Sequence, residues 1–263
     1  MISKYIEASI LAFIQGFTEF IPVSSSAHLI IISKISNFNI SSLQLDISLH
    51  LGSLLAIIFY FRRDLINFTK NKSLFLLIVL GSIPLIIFGY FFYSSGLIEN
   101  LRNLKVIAWT TLIFGILLFI ADRSTIKNKI NNNLSLKNIL IIGFFQMLAI
   151  IPGVSRSGII ITASRFLNFD RVDSSKISFY LSIPALAGAS VLSMKDIVST
   201  NIDMNFLFIF AVLLSFVFSY LTIKYFLIYV RSFNLNLFVY YRTFLVLILF
   251  VIAYSLVLVL GEI

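Results

Sequence analysis

Two stretches of this sequence combine residue types that together could carry out phosphoryl transfer. In the first, FTEFIPVSSSAH, a carboxylate precedes a proline, and three serines and a histidine follow it. In the second, IPGVSRSG, a proline is followed by two serines that flank an arginine. A hydroxyl group or a water can attack phosphorus, a carboxylate or imidazole can move the proton, and an arginine can bind phosphate oxygens. The sequence therefore predicts a site for phosphoryl transfer or hydrolysis.

The candidate catalytic residues of the first stretch are Glu19, Ser25 and His28. Glu19 is predicted to lie within a first half-helix, where it shares a face with Gln15 four residues earlier. Ser25 and His28 are three residues apart in the half-helix that follows, so we expect both to face one pocket. Ser25 or a water would be the nucleophile, and His28 or Glu19 would move the proton.

Arg156, the candidate catalytic residue of the second stretch, is open to two interpretations. Its guanidinium has a fork of donors that suits phosphate oxygens, so it would bind the substrate. Alternatively, because an arginine inside an apolar protein needs a partner, it would form a structural ion pair with Glu19. The substrate role is favoured. The second histidine, His50, is interpreted as structural or as a support for the site, held by Asp46 one turn earlier.

The position of the serines predicts a binding site for an anion. After each proline a serine stands where a new half-helix should begin, which is a preferred N-cap position. The free N–H groups and the dipole at such a helix start bind anions, so two starts that approach each other would enclose an anion pocket. Glu19 beside this pocket is also a candidate metal ligand, since Mg²⁺ and Ca²⁺ take oxygen ligands.

The composition places these residues in a membrane protein. Hydrophobic residues make up 59% of the chain and charged residues 12%, against about 25% charged residues in soluble domains. The mean hydropathy is +1.03. The chain contains no cysteine, which excludes disulfides, thiol catalysis and Cys-ligated zinc. The net charge of +9 is interpreted as loop charge that sets membrane orientation, and nucleic-acid binding is not expected.

Six apolar stretches are long enough to be simple transmembrane helices, for which about 20 residues are needed. They are residues 44–61, 73–93, 105–121, 177–194, 205–230 and 241–260. Residues 5–35 and 138–167, which contain the two reactive stretches, are each too long for one span and too short for two. We expect each to be a re-entrant hairpin of two half-helices, whose broken backbone is buried in protein.

The two broken segments resemble each other, which predicts an internal repeat. Both contain a glutamine, an apolar run, a proline and then V-S-x-S, and Val23 and Val154 lie 131 residues apart. Each half would be one hairpin plus three spans, and an odd number of spans inverts the second half. The expected fold is therefore an all-α polytopic membrane protein of about ten helices with a midplane site. It would form one integral-membrane domain over 1–263, with repeats at about 1–125 and 130–263.

The basic residues predict the orientation of the chain. If each hairpin returns to the side from which it enters, thirteen Lys and Arg fall opposite the N-terminus and five fall on its side. Arg165, Arg171 and Arg242 are among the thirteen. Because basic residues are enriched in cytoplasmic loops, this count places both termini outside.

The same residues resemble those of the bacterial undecaprenyl-diphosphate phosphatases, the bacitracin-resistance family. The resemblance rests on QGFTEFIPVSSSAH at 15–28 and PGVSRSG at 152–158. It extends through LHLGSLLA at 49–56, SFYLSIPALAGAS at 178–190 and YYRTFLV at 240–246, and so covers nearly the whole chain. It implies a bacterial inner-membrane enzyme that hydrolyses undecaprenyl diphosphate to undecaprenyl phosphate and inorganic phosphate. This reaction would recycle the lipid carrier of peptidoglycan synthesis and give bacitracin resistance.

The resemblance also implies a role for each site residue. Glu19, with or without Gln15, would hold a divalent cation, Mg²⁺ or Ca²⁺; Ser25 would be the nucleophile, and His28 the acid and base. Arg156 and the small residues at both breaks would bind the diphosphate. These small residues are Ser24, Ser26, Ser155, Ser157 and Gly153. The first motif position is Glu or Gln in the family, and Gln15 here leaves one carboxylate in the motif.

Other functions fit the residues less well. A membrane acid phosphatase needs a second histidine after its S-R element, and SRSGIIITASRF contains none. An intramembrane serine protease would use a Ser–His pair without a buried arginine, so Arg156 argues against this function. A lipid flippase or transporter stays open, because inverted repeats with midplane breaks are transporter architecture, but it needs no nucleophile beside a proton-transfer group. The expected partners are a polyprenyl diphosphate and membrane lipid, and a homodimer is left open.

Overall fold

The computed structural model describes residues 2–35, 43–68, 72–97, 101–200 and 206–260, and within them the chain is helical and contains no β-strand. The helices are α1 (Ile2–Thr18), α2 (Ser25–Ile35), α3 (Leu43–Tyr60), α4 (Arg62–Phe68), α5 (Lys72–Ser94), α6 (Leu104–Ala121), α7 (Ile130–Asn133), α8 (Leu136–Met147), α9 (Arg156–Phe166), α10 (Arg171–Thr200), α11 (Phe206–Ser232) and α12 (Asn236–Leu260). A short 3₁₀ turn, Leu148–Ile150, follows α8. The all-helical fold class predicted from the sequence is confirmed.

Several helices are long and apolar enough for a membrane protein. On length and composition, α5, α6, α11 and residues 236–254 of α12 could each cross a membrane, and α3 and α8 contain shorter apolar stretches. All six predicted spans coincide with helices, and the fourth, residues 177–194, lies within the 30-residue α10. This helix is more polar because Ser174, Ser178 and Ser182 face the protein interior, where they are fully buried.

Both predicted broken segments are two helices separated by a short irregular break. The first break joins α1 to α2, and the second joins the 3₁₀ turn to α9. Ser24 and Ser155, the serines just before the second helix of each segment, have left-handed φ angles of 73° and 70°. Glu19 lies in the turn after α1 rather than within the half-helix as predicted, although its amide still donates to the Gln15 carbonyl at 2.9 Å. The helix ends at Thr18, and the chain then turns through Glu19 toward Pro22.

Each broken segment packs on a helix from the other half of the chain. The first helix of the first segment, α1, packs on α11, and the first helix of the second segment, α8, packs on α5. Glycines allow these close crossings: a Cβ at Gly16 would lie 2.6 Å from the Cβ of Phe218, and one at Gly143 would clash with the carbonyl of Gly81. The two halves therefore exchange their packing partners.

Arg242 of α12 connects both breaks. It is 1% exposed, and its guanidinium donates to backbone carbonyls of Pro22 at 3.4 Å, of Gly153 at 2.8 Å and of Val154 at 3.2 Å. Its Nε donates to the Thr111 carbonyl of α6 at 3.1 Å. The sequence interpretation counted Arg242 as a loop charge. It lies inside the protein instead, because only a side chain with several donors can satisfy carbonyls from two breaks at once.

A polar network holds three loops together at one end of the protein. Asp122, which ends α6, accepts from Arg171 at 2.7 Å and from the amide of Leu235 at 3.0 Å. The buried Arg165 donates to the carbonyls of Asp122 and Ser124 at 3.0 and 2.6 Å. The loops after α6, α9 and α11 therefore lie at the same end of the protein.

Replacing Arg242 with methionine should destabilise the whole protein. The substitution keeps an unbranched apolar stem but removes the guanidinium, which leaves buried carbonyls at both breaks without donors and which we expect to cost about 3 kcal/mol or more. Thermal unfolding of the purified protein in detergent measures this loss. Arg231→Met, at an exposed arginine in the last turn of α11, is the matched control. Equal unfolding temperatures for the two variants would contradict this role of Arg242.

Candidate active site

A cavity of about 260 Å³ lies between the two breaks. Its polar wall comes from the first break, the second break and α3, and consists of Glu19, Ser24, Ser25, Ser26, Ser155, Arg156 and His50. Its apolar wall is formed by Leu85, Ala149, Ile150, Ala185, Leu186 and Ala189. The structure thus brings six of the nine candidate catalytic and substrate-binding residues to one small cavity. A cavity lined by both polar and apolar residues suits a charged headgroup attached to a hydrophobic tail.

The carboxylate of Glu19 is the centre of the polar contacts in this cavity. Its Oε1 accepts from Nη2 of Arg156 at 2.5 Å, and its Oε2 accepts from the Ser25 hydroxyl at 2.7 Å and from Nε2 of Gln15 at 2.9 Å. The predicted shared face of Gln15 and Glu19 is confirmed. Ser25 donates its proton toward the carboxylate, which is the arrangement that activates a hydroxyl nucleophile.

Arg156 lies between the two breaks and forms the ion pair that the sequence interpretation treated as the alternative. Besides Glu19, its guanidinium reaches only the Ser182 carbonyl, from Nη1 at 3.3 Å, among the described residues. An arginine has five N–H donors, so these two bonds leave donors for another acceptor. The buried Nε has no partner in the described part of the chain. The ion pair and phosphate binding are therefore compatible.

The serines at the two breaks have the same local geometry. Ser24 and Ser26 hydroxyls lie 3.2 Å apart, and Ser155 and Ser157 hydroxyls also lie 3.2 Å apart. Ser155 is the N-cap of α9, and its hydroxyl accepts from the amide of Gly158 at 3.2 Å. Two helix N-termini with serines in front of them therefore meet at one cavity, the arrangement that favours an anion.

His28 does not line this cavity with Ser25. Its Nδ1 lies 2.7 Å from the Ser24 carbonyl, and its Nε2 lies 2.6 Å from the Tyr241 hydroxyl, with the two rings stacked 5.6 Å apart. The prediction of a shared pocket for Ser25 and His28 is therefore wrong. A spacing of three residues leaves the two side chains on neighbouring faces, and the contact with α12 draws the imidazole away.

Gly153 and Ser157, which were predicted to bind substrate, also lie outside the cavity. Gly153 has a φ of 91°, and a Cβ there would lie 2.7 Å from the Ile107 carbonyl, so α6 covers it. The Ser157 hydroxyl is buried and donates to the Ile21 carbonyl at 2.9 Å. Both residues contact neighbouring backbone segments instead, because the tight turn of the second break directs them away from the opening of the cavity.

His50 faces the cavity, although the sequence interpretation gave it only a structural or supporting role. Its Nδ1 lies 2.7 Å from the Asp46 carbonyl, so Asp46 does hold it, through its backbone. Arg242 and Tyr241 were also missed as parts of the site's framework. A signal was present for Arg242, since an arginine inside a long apolar stretch needs several buried acceptors.

Glu19 and Gln15 are the residues that could hold the predicted divalent cation. Within the described ranges, no three His, Asp or Glu side chains lie close enough together to hold a metal ion. The amide oxygen of Gln15 is buried without a hydrogen-bond partner among described residues, next to the Glu19 carboxylate. These oxygens suit a hard cation that takes its remaining ligands from the phosphates of a substrate and from water.

Comparison with known proteins shows the family to which the chain belongs. The profile of the family described as bacitracin resistance protein BacA matches residues 8–248. An undecaprenyl-diphosphatase from Pelagibacter ubique is 55% identical over 97% of this chain and 100% of its own length. Undecaprenyl-diphosphatases from Elusimicrobium minutum and Thermodesulfovibrio yellowstonii are 40% and 38% identical over 94% of this chain and 98% and 96% of theirs. The chain therefore belongs to the BacA family of bacitracin resistance proteins.

Proposed function

We propose that this protein is an integral-membrane phosphatase that hydrolyses undecaprenyl diphosphate to undecaprenyl phosphate and inorganic phosphate. The observation that carries the proposal is the Glu19 carboxylate, which holds both a serine hydroxyl and an arginine in one cavity between two helix starts. The curated relatives that share nearly the whole chain bear the name of this activity. The reaction would recycle the lipid carrier of peptidoglycan synthesis and give bacitracin resistance.

The geometry supports a simple division of roles in the reaction. Arg156 and the N-termini of α2 and α9 bind the negative charge of the diphosphate, with Ser24, Ser26 and Ser155 in front of them. The hydroxyl of Ser25, or a water in its place, attacks the terminal phosphorus, and Glu19 accepts its proton at Oε2. The bond from that phosphorus to the bridging oxygen breaks, and its electron pair stays on the lipid monophosphate. A water that attacks releases inorganic phosphate directly; if Ser25 attacks, a water then hydrolyses the phosphoserine, which releases inorganic phosphate and restores the serine hydroxyl.

A divalent cation fits this scheme as a partner of the substrate. Glu19 and Gln15 would hold it, and when bound it would neutralise charge on the phosphate oxygens. The polyprenyl tail would extend from the apolar wall of the cavity to the lipid-facing helices. Because one chain supplies all the cavity residues described above, a homodimer is compatible with this function but is not required for it.

Two inverted repeats would explain why the breaks meet. The supporting observations are the matched left-handed serines, the matched serine pairs and the exchanged packing of α1 on α11 and α8 on α5. In this architecture each broken segment is a re-entrant hairpin, and the site lies near the bilayer midplane. A transporter would share the architecture, but the serine held on a carboxylate favours the phosphatase.

We place both termini on the outer face of the inner membrane, with the first hairpin entering from that face. When the buried Arg242 is left out of the count, twelve basic residues lie on the membrane side opposite the N-terminus, and five lie on the same side as the N-terminus. Since the chain has no cysteine, a single cysteine can be labelled without background. A membrane-impermeant maleimide should label Lys4→Cys in intact cells and Lys127→Cys only after permeabilisation. The reverse labelling pattern would contradict this orientation.

Purified protein in detergent should release phosphate from undecaprenyl diphosphate in a reaction that a metal chelator abolishes. Glu19→Gln and Arg156→Ala should each lower the rate by about 100-fold or more, since each removes proton transfer or charge stabilisation. Arg123→Ala, at an exposed arginine after α6, is the matched control and should keep the wild-type rate. Well-folded wild-type protein that releases no phosphate with any divalent cation would contradict the phosphatase and favour the transporter.

A further inference from the structure

An open groove between α3 and α11 forms a second cavity, away from the proposed active site. Its volume is about 410 Å³, and the residues that line it all differ from those that line the cavity between the breaks. Six of its seven lining residues are apolar, and the seventh is Arg62. The groove therefore suits a hydrocarbon chain that ends in a group attracted to positive charge.

The α3 wall of the groove is a stripe of apolar residues that ends at an arginine. Leu55, Ile58, Phe59 and Arg62 lie at positions i, i+3, i+4 and i+7, the spacing that keeps side chains on one face of a helix. All four side chains are exposed, so in a membrane this face meets lipid. The stripe is about 10 Å long at the rise of an α-helix, about two-thirds of the hydrocarbon half of a bilayer. Such a length lets Arg62 reach the headgroups.

The α11 wall closes the groove from the other side. It consists of Val212, Leu213 and Phe216. The two helices cross closely just before the groove begins, since a Cβ at Gly52 would lie 2.4 Å from the Val212 carbonyl. Further along, the ring of Phe59 meets the ring of Phe216 edge to face, with centroids 5.9 Å apart. The packing of the two helices therefore shapes the groove.

Arg62 is held at the end of the groove with most of its donors free. Its Nη1 donates to the Phe59 carbonyl at 2.8 Å, and the centre of its guanidinium lies 4.4 Å from the centre of the Phe59 ring. A guanidinium has five N–H donors, and this is the one hydrogen bond that Arg62 makes among the described residues. The remaining donors are available to an anion above the groove.

The charges around Arg62 are mostly positive. Arg63 follows it directly, and Arg231, in the last turn of α11, lies near the end of α3. Within the described ranges no carboxylate forms an ion pair with any of these three arginines. The carboxylate next in sequence, Asp64, accepts from a tyrosine of α10. This end of the groove therefore attracts a negatively charged headgroup.

We propose that the groove binds an anionic phospholipid, with one acyl chain along the apolar stripe and the phosphate on Arg62. The site is separate from the proposed active site and does not depend on the phosphatase function. A guanidinium forms strong charge-assisted hydrogen bonds with phosphate oxygens, and the surrounding arginines favour an anionic lipid over a zwitterionic one. An acyl chain fits better than a polyprenyl tail, because the groove is short and shares no lining residue with the proposed active site.

Fluorescence quenching by brominated lipids tests the site. The chain has one tryptophan, so Trp109→Phe combined with Val217→Trp gives a single reporter, on the exposed side of α11 one turn after Leu213. In phosphatidylcholine vesicles, brominated phosphatidylglycerol should bind beside this reporter about tenfold more tightly than brominated phosphatidylcholine. Adding Arg62→Gln should make the two lipids bind equally. Equal binding of the two lipids before this substitution would overturn the proposal.

Arg123→Gln in the same reporter protein is the matched control. Arg123 also follows a lipid-facing helix, donates to the Phe119 carbonyl at 2.9 Å and lies over the Phe119 ring, but it lines neither cavity. This variant should therefore keep the tenfold preference for phosphatidylglycerol. A preference that Arg62→Gln and Arg123→Gln reduce equally would reflect general attraction of the lipid to a basic surface, and would overturn the proposal.

Competition with unbrominated compounds identifies the occupant of the groove. Dioleoyl phosphatidylglycerol should displace the brominated phosphatidylglycerol and restore the fluorescence, whereas glycerol phosphate in the buffer should not. Undecaprenyl phosphate at the same mole fraction should displace it no better than dioleoyl phosphatidylglycerol does. Displacement by glycerol phosphate would indicate a phosphate site without a chain site, and much stronger displacement by undecaprenyl phosphate would indicate a polyprenyl site. Either result would overturn the proposal.

Discussion

Each of the two breaks interrupts a helix inside an apolar protein, where every backbone carbonyl left without a donor costs about 1–3 kcal/mol. The rest of the site depends on how these carbonyls are satisfied. Arg242 donates to carbonyls at both breaks, Thr110 donates to the Pro152 carbonyl at 2.6 Å, and Ser157 donates to that of Ile21 at 2.9 Å. Side chains from one segment thus donate hydrogen bonds to the backbone carbonyls of another segment. The two helix starts can face one cavity only because these bonds hold the breaks against each other.

The Glu19–Arg156 ion pair adds a second connection between the breaks, and it also sets the chemistry. Two opposite charges with little exposure stabilise each other, whereas either one alone would be an uncompensated buried charge. The pair is therefore part of the structure before substrate arrives. In the proposed reaction, a diphosphate would bring negative charge to the spare donors of Arg156 and weaken the hold of the guanidinium on Glu19. The carboxylate would then become a better acceptor for the Ser25 proton. On this proposal, the structural and catalytic interpretations of Arg156 describe two states of one contact.

The sequence predicted the parts of this protein that depend on local pattern. Apolar runs of sufficient length gave the spanning helices, and Pro22 and Pro152 with their serines gave both breaks. The spacing of Gln15 and Glu19 predicted their contact, because a helix and the turn that follows it keep residues four apart on one side. Charge and polarity also suggested the ion pair of Arg156 with Glu19, although only as the alternative to substrate binding. Predicting these features requires only the sequence of one segment, or of two segments whose sequences match.

The features that the sequence did not predict depend on distant partners. His28 turns away from the cavity because of Tyr241, which is 213 residues later in the chain. Gly153 is covered by α6, and His50 reaches the cavity because α3 packs beside the first broken segment. Helical spacing gives the direction of a side chain around its own axis, but it does not say which neighbour will bind it. For the same reason Arg242 was counted with the loops instead of with the breaks it holds.

We propose that the two breaks together hold the diphosphate. An experimentally determined structure of the protein with undecaprenyl methylene diphosphonate, an analogue that cannot be hydrolysed at its bridge, tests this claim most directly. We expect both phosphorus atoms in the cavity between Ser24–Ser26 and Ser155–Arg156, with a phosphate oxygen in hydrogen-bond contact with Arg156. A headgroup bound outside this cavity, for example beside His28 and Tyr241, with Arg156 still paired only to Glu19, would contradict the account.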